Sequence, residues 1–288
     1  MPLNESEWFT EYFEDVTAFS VHYTQKLYEV TSAFQKIEVY ETARLGRVLI
    51  LDACFMVTEA DTFIYHEMLV HPAMNTAPTA RRVLVIGGGD GGTVTEVMKY
   101  PHVESCILCE IDPMVIETCR KFFPNLSSGL NDPRVTIVNG DGAEFVKKFH
   151  QQFDVVFVDS TDPVGPGETL FRPSFYESVK NSLSPNGVAV FQTESPLFMK
   201  DVFTQAVKNL RHVFGHDRAH PYFATIPSYP GALWSFTYCC ANEQPNALNA
   251  IDISPYLDGK LAYYNKAIHK AAFALPEFVA AMLAAQDQ

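Results

Sequence analysis

The 288-residue chain contains no apolar run approaching the roughly 20 residues that a membrane-spanning helix needs. Positive charge is scarce: 21 Lys and Arg stand against 34 Asp and Glu, a formal net charge of −13. That surplus would repel phosphate backbones, so nucleic acid is not an expected partner. A cationic ligand suits the balance, and so does the ordinary solubility charge of a cytosolic enzyme. Residues 1–15 are acidic and aromatic, without the basic start and apolar stretch of a secretory signal, so the expected location is the cytoplasm. Cysteine is limited to six residues, at 54, 106, 109, 119, 239 and 240. Cys106 and Cys109 make a C-x-x-C inside an apolar run that reads as a strand, where positions three apart face opposite ways. They cannot close on zinc or act as a redox pair, and are read as buried thiols of a reducing compartment. The stretch His66-Glu67-Met-Leu-Val-His71 lacks the i, i+4 facing of H-E-x-x-H, because its second histidine comes one residue late. No metal is expected, and no internal repeat or low-complexity tract is present.

What the chain does have is apolar mass, 47% of its residues, enough for a sizeable core. Residues 25–30, 34–41 and 47–51 read as short strands broken by turns, with a short fourth over 57–61 and a helix over 62–74. From Arg81 the pattern changes to strand–helix alternation. Strands are expected over 82–86, 105–110, 135–138, 154–159 and 188–192, with helices between and after them. Arg82-Val-Leu-Val-Ile86 is continuously apolar, as befits a strand covered on both faces. The expected fold class is α/β. A small N-terminal antiparallel β domain (1–75) precedes a methyltransferase-like Rossmann domain with a doubly wound, mostly parallel sheet (76–288). In such a sheet ligands sit beyond the carboxyl ends of the strands.

Chemistry-bearing residues gather at those ends. Gly87-Gly-Gly-Asp-Gly-Gly92 closes the first parallel strand and opens a helix, where Gly87 and Gly89 let the backbone approach a ligand. Glu110 ends the next strand, about 20 residues on, where an acid can grip ribose hydroxyls. Asp90 would repel a pyrophosphate, which disfavours a nicotinamide dinucleotide and suits an adenosyl sulfonium. Asp141 follows the third strand and could accept from an adenine amino group, with Gly142 leaving room for the ring. It could equally be the N-cap of the following helix. Asp159-Ser160-Thr161-Asp162-Pro-Val-Gly-Pro166 follows the fourth strand as a stiff acidic loop. Turn and cap roles suit its aspartates singly. Four acids at one crevice, Asp90, Glu110, Asp159 and Asp162, point to a cationic ligand. Tyr229, between Pro227 and Pro230, has its loop fixed and could hold a phenol at a ligand; Tyr222, Phe223, Trp234 and Phe236 read mostly as core and pocket wall.

On these motifs the chain resembles the spermidine synthases over nearly its whole length, from Phe34-Gln-Lys-Ile37 to Tyr263-Tyr-Asn-Lys-Ala-Ile-His-Lys-Ala-Ala-Phe-Ala-Leu-Pro276. The most specific stretches are Val85-Ile-Gly-Gly-Gly-Asp-Gly-Gly92, Asp159-Ser-Thr-Asp-Pro-Val-Gly-Pro166 and Ile226-Pro-Ser-Tyr-Pro230, joined by Phe63-Ile-Tyr-His-Glu-Met68. The resemblance implies that Gln35, Glu110, Asp141, Gly142 and Pro166 surround the adenosyl part of decarboxylated S-adenosylmethionine, a co-substrate, with no separate cofactor. It implies that Tyr65, His66, Asp90, Asp162 and Tyr229 line the site of a putrescine-like amine, that Asp159 accepts a proton, and that the segment around 160–172 gates the site. It also implies a homodimer or homotetramer, and leaves the acceptor open among putrescine, cadaverine and spermidine.

The reaction so implied is an in-line displacement by an amine at the carbon beside a sulfonium. Sulfur leaves as a neutral thioether, so neither a general acid nor a metal is called for. Freeing a lone pair on an amine of pKa near 10 costs about 4 kcal/mol at pH 7. Distal acids would hold the far ammonium while Asp159 takes the proton of the reacting nitrogen. The rival readings are an S-adenosylmethionine methyltransferase and a polyamine-binding sensor. Asp90 with the Asp159/Asp162 pair argues against the first, and product formation would decide against the second.

Overall fold

The computed structural model describes residues 7–13, 17–163, 165–242, 253 and 255–285. Five strands come first: β1 (Trp8–Phe13), β2 (Thr17–Thr31), β3 (Lys36–Thr42), β4 (Gly46–Leu51) and β5 (Cys54–Thr58), antiparallel in sequential order. Alternation sorts their side chains. Ile37, Val39, Leu49 and Leu51 pack on one side, while Tyr40, Val48, Ile50 and Phe55 pack with Phe9 and Phe19 on the other. The sheet coils until its two edges meet: Glu11 of β1 accepts from the Phe55 amide of β5 at 2.9 Å.

One strand was not anticipated and one expectation needs correction here. Residues 8–13 form a strand that their acidic, aromatic composition did not signal. The fourth strand lies at Cys54–Thr58 rather than 57–61. The β4–β5 turn is made by Asp52 and Ala53 at φ 45° and 67°, so it carries no glycine to mark it. The Asp52 carboxylate accepts from the Lys36 amide at 2.8 Å and holds the turn.

Helix α1 (Thr62–Thr76) leads into a second sheet made of β6 (Arg82–Gly87), β7 (Ser105–Glu110), β8 (Val135–Asn139), β9 (Phe153–Asp159), β10 (Leu183–Gln192), β11 (Ala219–Thr225) and β12 (Leu233–Cys240). Their spatial order is β11-β12-β10-β9-β6-β7-β8, with β8 to β10 parallel to one another and to β6 and β7, and the β11–β12 hairpin antiparallel. The sheet is therefore Rossmann-like, mixed and mostly parallel. The hairpin is an addition to the expected five strands; Tyr222, Phe223, Trp234 and Phe236 lie on it. Its strands are buried on both faces, so they show no alternation to read.

Helices α2 (Gly92–Met98), α3 (Pro113–Phe122), α4 (Gly142–Val146), α5 (Pro173–Ser182) and α6 (Lys200–Phe214) connect or cover these strands, and α7 (Lys266–Ala272) and α8 (Glu277–Ala284) follow. Val83 and Val85 join the core cluster that includes α1 and α2, and Leu84 and Ile86 the one that includes α5 and α6. Burying each such side chain is worth roughly 1.5–3 kcal/mol. Cys106 and Cys109 divide between the same two clusters, as their spacing in a strand requires. Among the described residues no single helix is long and apolar enough to cross a membrane.

Candidate active site

The strand order reverses between β6 and β9, and there Gly87 lies opposite Asp159. That reversal opens a crevice at the carboxyl edge of the sheet. A Cβ on Gly87, whose φ is 75°, would lie 2.2 Å from the Asp159 carbonyl oxygen, so only glycine fits. A Cβ on Gly89 would lie 2.9 Å from the Glu110 carboxylate. A cavity of about 330 Å³ fills the crevice, walled by the glycine loop below and by Leu49, Leu51, Cys54 and Met56 of the first sheet above.

At one end of the cavity stand the groups expected around an adenosyl moiety. Glu110 accepts from the amides of Gly89 (3.1 Å) and Asp112 (2.9 Å). Burial pushes its carboxyl up to about 7. The Gln35 amide donates to Asp112 at 3.1 Å, which tethers the β2–β3 turn to the strand-end loop. Asp141 accepts from the Ala143 amide at 2.8 Å, so it does cap α4 while lining the cavity. Gly142 lines it too, but the space its missing side chain leaves is occupied by Ile86, which a Cβ would approach to 2.3 Å. The side chain of Pro166 lies outside the described residues.

At the centre Asp159 is buried and hydrogen-bonded on both oxygens. The Tyr65 hydroxyl donates to Oδ1 at 2.7 Å and the Thr93 hydroxyl to Oδ2 at 2.6 Å. Burial, and then the nearby Asp90 charge, push its carboxyl above the usual carboxylate range. Burial and the Asp159 charge hold the Tyr65 phenol far above its ordinary value, so it remains a donor. Asp90 lies 3.2 Å from His66 Nε2 and accepts from the Gly92 amide at 2.6 Å. The other ring nitrogen of His66 meets the Thr62 carbonyl at 2.9 Å. Burial opposes charge on that ring, but Asp90 and Asp159 outweigh it and raise His66 to about 9. Burial likewise opposes ionisation of Asp90, and the His66 charge outweighs it, leaving the Asp90 carboxyl below its usual range. Ligand atoms of His66, Asp90 and Asp159 all lie within 4.8 Å of one another. With its pKa raised by the two acids, the His66 ring serves them as a counter-charge.

Beyond Asp159 a smaller cavity of about 40 Å³ shares the walls Met56, Tyr65, Ser160, Thr161, Asp162 and Tyr229 with the first. Tyr229 donates its hydroxyl to the Met56 carbonyl at 2.8 Å, which holds the phenol at the wall shared by the two cavities. Three carboxyls converge around this smaller space. Burial, assisted by Asp162, pushes Glu11 up to about 7. Burial raises Asp162 as well. Burial and the Asp162 charge raise Glu194 far above the ordinary range. Glu194 accepts from the Gln192 amide at 2.7 Å and holds a φ of 69°, a strained value for a side chain at a strand end.

The structure thus brings together at one cavity Gln35, Gly87, Gly89, Glu110, Asp141 and Gly142 with Tyr65, His66, Asp90, Asp159, Ser160, Thr161, Asp162 and Tyr229. Sequence reasoning missed Thr93, Gln192, Glu194 and Glu11. Gln192 ends β10 at the same edge where Glu110 ends β7 and Asp159 ends β9, so the strand-end rule reaches it and Glu194. Thr93 follows directly on the glycine loop. Glu11 carries no local signal, because only the coiling of the first sheet brings it in.

Comparison with known proteins agrees with this geometry. Residues 62–249 match the spermine/spermidine synthase domain, and residues 7–59 the spermidine synthase tetramerisation domain. The chain is 42% identical over 272 residues to the polyamine aminopropyltransferase of Thermoanaerobacter sp. (strain X514), covering 94% of this chain and 96% of that one. It is 41% identical over 285 residues to the polyamine aminopropyltransferase of Clostridium perfringens (strain ATCC 13124), covering 98% and 99%. A crystal structure of spermidine synthase in complex with the transition state analogue AdoDATO superposes with a TM-score of 0.91 at 38% identity, covering 96% of this chain and 95% of that chain. Spermidine synthase from Thermotoga maritima gives 0.89 at 37%, covering 96% and 94%. This chain therefore belongs to the spermidine synthase family, the aminopropyl-transferring enzymes of polyamine synthesis.

Proposed function

We propose that the enzyme transfers the aminopropyl group of decarboxylated S-adenosylmethionine to putrescine, giving spermidine and 5′-methylthioadenosine. The primary amine nitrogen attacks the aminopropyl carbon bonded to sulfur. The carbon–sulfur bond breaks with its electrons going to sulfur, which leaves as a neutral thioether. The surplus proton of the new secondary ammonium goes to Asp159. Because the cationic sulfur becomes a neutral thioether as it departs, the step calls for no general acid and no cofactor beyond the donor itself.

The observation that carries this reading is the setting of Asp159 at the strand reversal, between a nucleoside-sized crevice and a small acid-lined cavity. Its hydrogen bonds from Tyr65 and Thr93 fix the carboxylate's orientation, and its elevated pKa narrows the gap to the amine whose proton it takes. Glu110, Gln35 and Asp141 suit the uncharged ribose and adenine of the donor. Asp162, Glu194 and Glu11 suit the far ammonium of the acceptor, where a strong grip does not oppose attack. Most of the acceleration then comes from holding two substrates in line. The match of residues 7–59 to a tetramerisation domain supports assembly as a homodimer or homotetramer, and the acidic composition suits a cytoplasmic enzyme.

The test is mass spectrometry of the products formed from decarboxylated S-adenosylmethionine offered with a mixture of putrescine, cadaverine and spermidine. Spermidine with methylthioadenosine is the expected pair. A methylated amine in place of an aminopropylated one would overturn the reading.

A further inference from the structure

The C-terminal stretch Tyr263–Pro276 was among the motifs singled out in the sequence, yet it lines neither cavity. Its connection to the site runs through Glu67. This carboxylate is only 2% exposed, and no cation pairs with it among the described residues. It accepts three backbone N–H groups of one irregular segment: Ala262 at 2.7 Å, Tyr263 at 2.9 Å and Tyr264 at 2.7 Å. Those amides belong to no strand or helix, so the carboxylate supplies the partners that secondary structure would otherwise give. The same segment is anchored from behind, where the Tyr264 hydroxyl meets His269 Nδ1 at 2.7 Å.

Glu67 adjoins Tyr65 and His66 on the second turn of α1. That helix begins without a side-chain cap, because Asp61 is turned away to accept from Thr58 and from the amide and hydroxyl of Ser228. The first two turns of α1 are therefore held by two carboxylates. Asp61 ties them to the loop that carries Tyr229, and Glu67 ties them to residues 262–264. Between the two attachments lie the side chains that touch Asp159 and Asp90.

We propose that Glu67 is a positioning residue, through which the C-terminal segment sets the rotation of α1 and with it the placement of Tyr65 on Asp159. The inference rests on Asp159 and Tyr65 serving the amine side of the reaction, as proposed above. A displacement of about 1 Å at a reacting group can cost a hundredfold in rate, so a modest turn of α1 is enough to register.

The experiment is a double-mutant cycle on the full-length enzyme, using the decarboxylated donor and whichever amine the wild type turns over. All rates are taken well below each variant's melting temperature. Glu67→Gln keeps the shape but replaces one accepting oxygen with an NH2 that faces a backbone donor. It is expected to lower kcat/KM for the amine by up to about tenfold, the cost of losing the Tyr65 contact, with the donor Kd within about twofold of wild type. In a Tyr65→Phe background the same substitution should cost less than about threefold, because the contact it acts through is already gone. Should Glu67→Gln fail to accumulate as folded protein, Tyr264→Phe loosens the same segment while leaving Glu67 in place, removing the hydroxyl that meets His269 and the Asn75 side chain at the far end of α1, and should show the same loss only when Tyr65 is present. The wild-type rate and product test the proposed reaction; only the ratios among the variants test Glu67. An equal loss with and without Tyr65, or a drop in melting temperature with kcat/KM unchanged, would make Glu67 a structural anchor and nothing more.

Discussion

Tyr65 and Asp159, 94 positions apart in the chain, meet at 2.7 Å, with the phenol donating to a carboxylate that Thr93 holds from its other oxygen. In the proposed reaction the pair marks where the proton of the attacking amine would go. Asp159→Asn is expected to lower kcat by at least about a hundredfold at saturating substrates, in the range for loss of a general base. Tyr65→Phe leaves the carboxylate in place but frees its orientation, so a smaller loss of about tenfold is expected. In the wild type, kcat/KM should fall as pH drops through the raised Asp159 pKa, since the base must be ionised. Near-wild-type turnover of Asp159→Asn across pH would remove Asp159 from the base role.

Asp90 bears on donor choice. Ordinary S-adenosylmethionine carries a carboxylate where the decarboxylated donor has only hydrogen, and two like charges about 4 Å apart repel by about 4 kcal/mol at an effective dielectric near 20. His66, 3.2 Å from Asp90, offsets part of that charge. Discrimination of at least about tenfold in favour of the decarboxylated donor is therefore expected in calorimetric Kd values. Asp90→Asn should narrow the gap between donors, and His66→Gln, which strips the counter-charge, should widen it. Equal binding of both donors by the wild type would mean that Asp90 does not face the donor's tail.

In the proposed reaction the smaller cavity is the place that would set acceptor length. Its volume of about 40 Å³ and its ring of Glu11, Asp162 and Glu194 suit one ammonium a few carbons from the reacting nitrogen. Putrescine is expected to give the highest kcat/KM, cadaverine less and spermidine least. A higher value for spermidine would make the enzyme a spermine-type synthase.

Glu11 links the site to stability. Burial raises its pKa from 4.5 to about 7, so folding takes up a proton between those values. Stability contributed at this position therefore falls as pH rises through that window, and the full cost is present above pH 7. Glu11→Gln removes the buried charge and can still accept from the Phe55 amide. It is expected to stabilise the fold at pH 8 by up to about 3 kcal/mol, at about 1.4 kcal/mol per pK unit, while weakening amine binding. Melting curves at pH 4.5 and pH 8 check the sign, since the advantage should vanish at the lower pH. A constant advantage at both values would show that charge burial is not its source.

Much of the second sheet was legible because parallel strands covered on both faces are written as continuous apolar runs ending in glycine or acid. Val83 to Ile86, Ser105 to Glu110 and the strand ending at Asp159 are read that way, and the crevice follows from where they end. The β11–β12 hairpin was not legible, since a run buried on both faces reads the same whether its neighbour is parallel or antiparallel. The Asp52–Ala53 turn was missed for want of a glycine at a positive φ.

The sequence by itself therefore determined the composition of the site: glycines that admit a ligand to the sheet edge, and acids at the strand ends with the charge to hold a cation. Those properties are local, fixed by residue type and by position on a strand. The tertiary structure decided which acid pairs with what. It turned the near-miss zinc motif of α1 into a counter-ion for Asp90 and a clasp for residues 262–264. It also carried Glu11 from β1 across the coiled sheet to Phe55, 44 positions away, and so to Asp162. Pairings of that kind depend on sheet curvature and helix rotation, which arise from packing over the whole chain and leave no mark in any one segment.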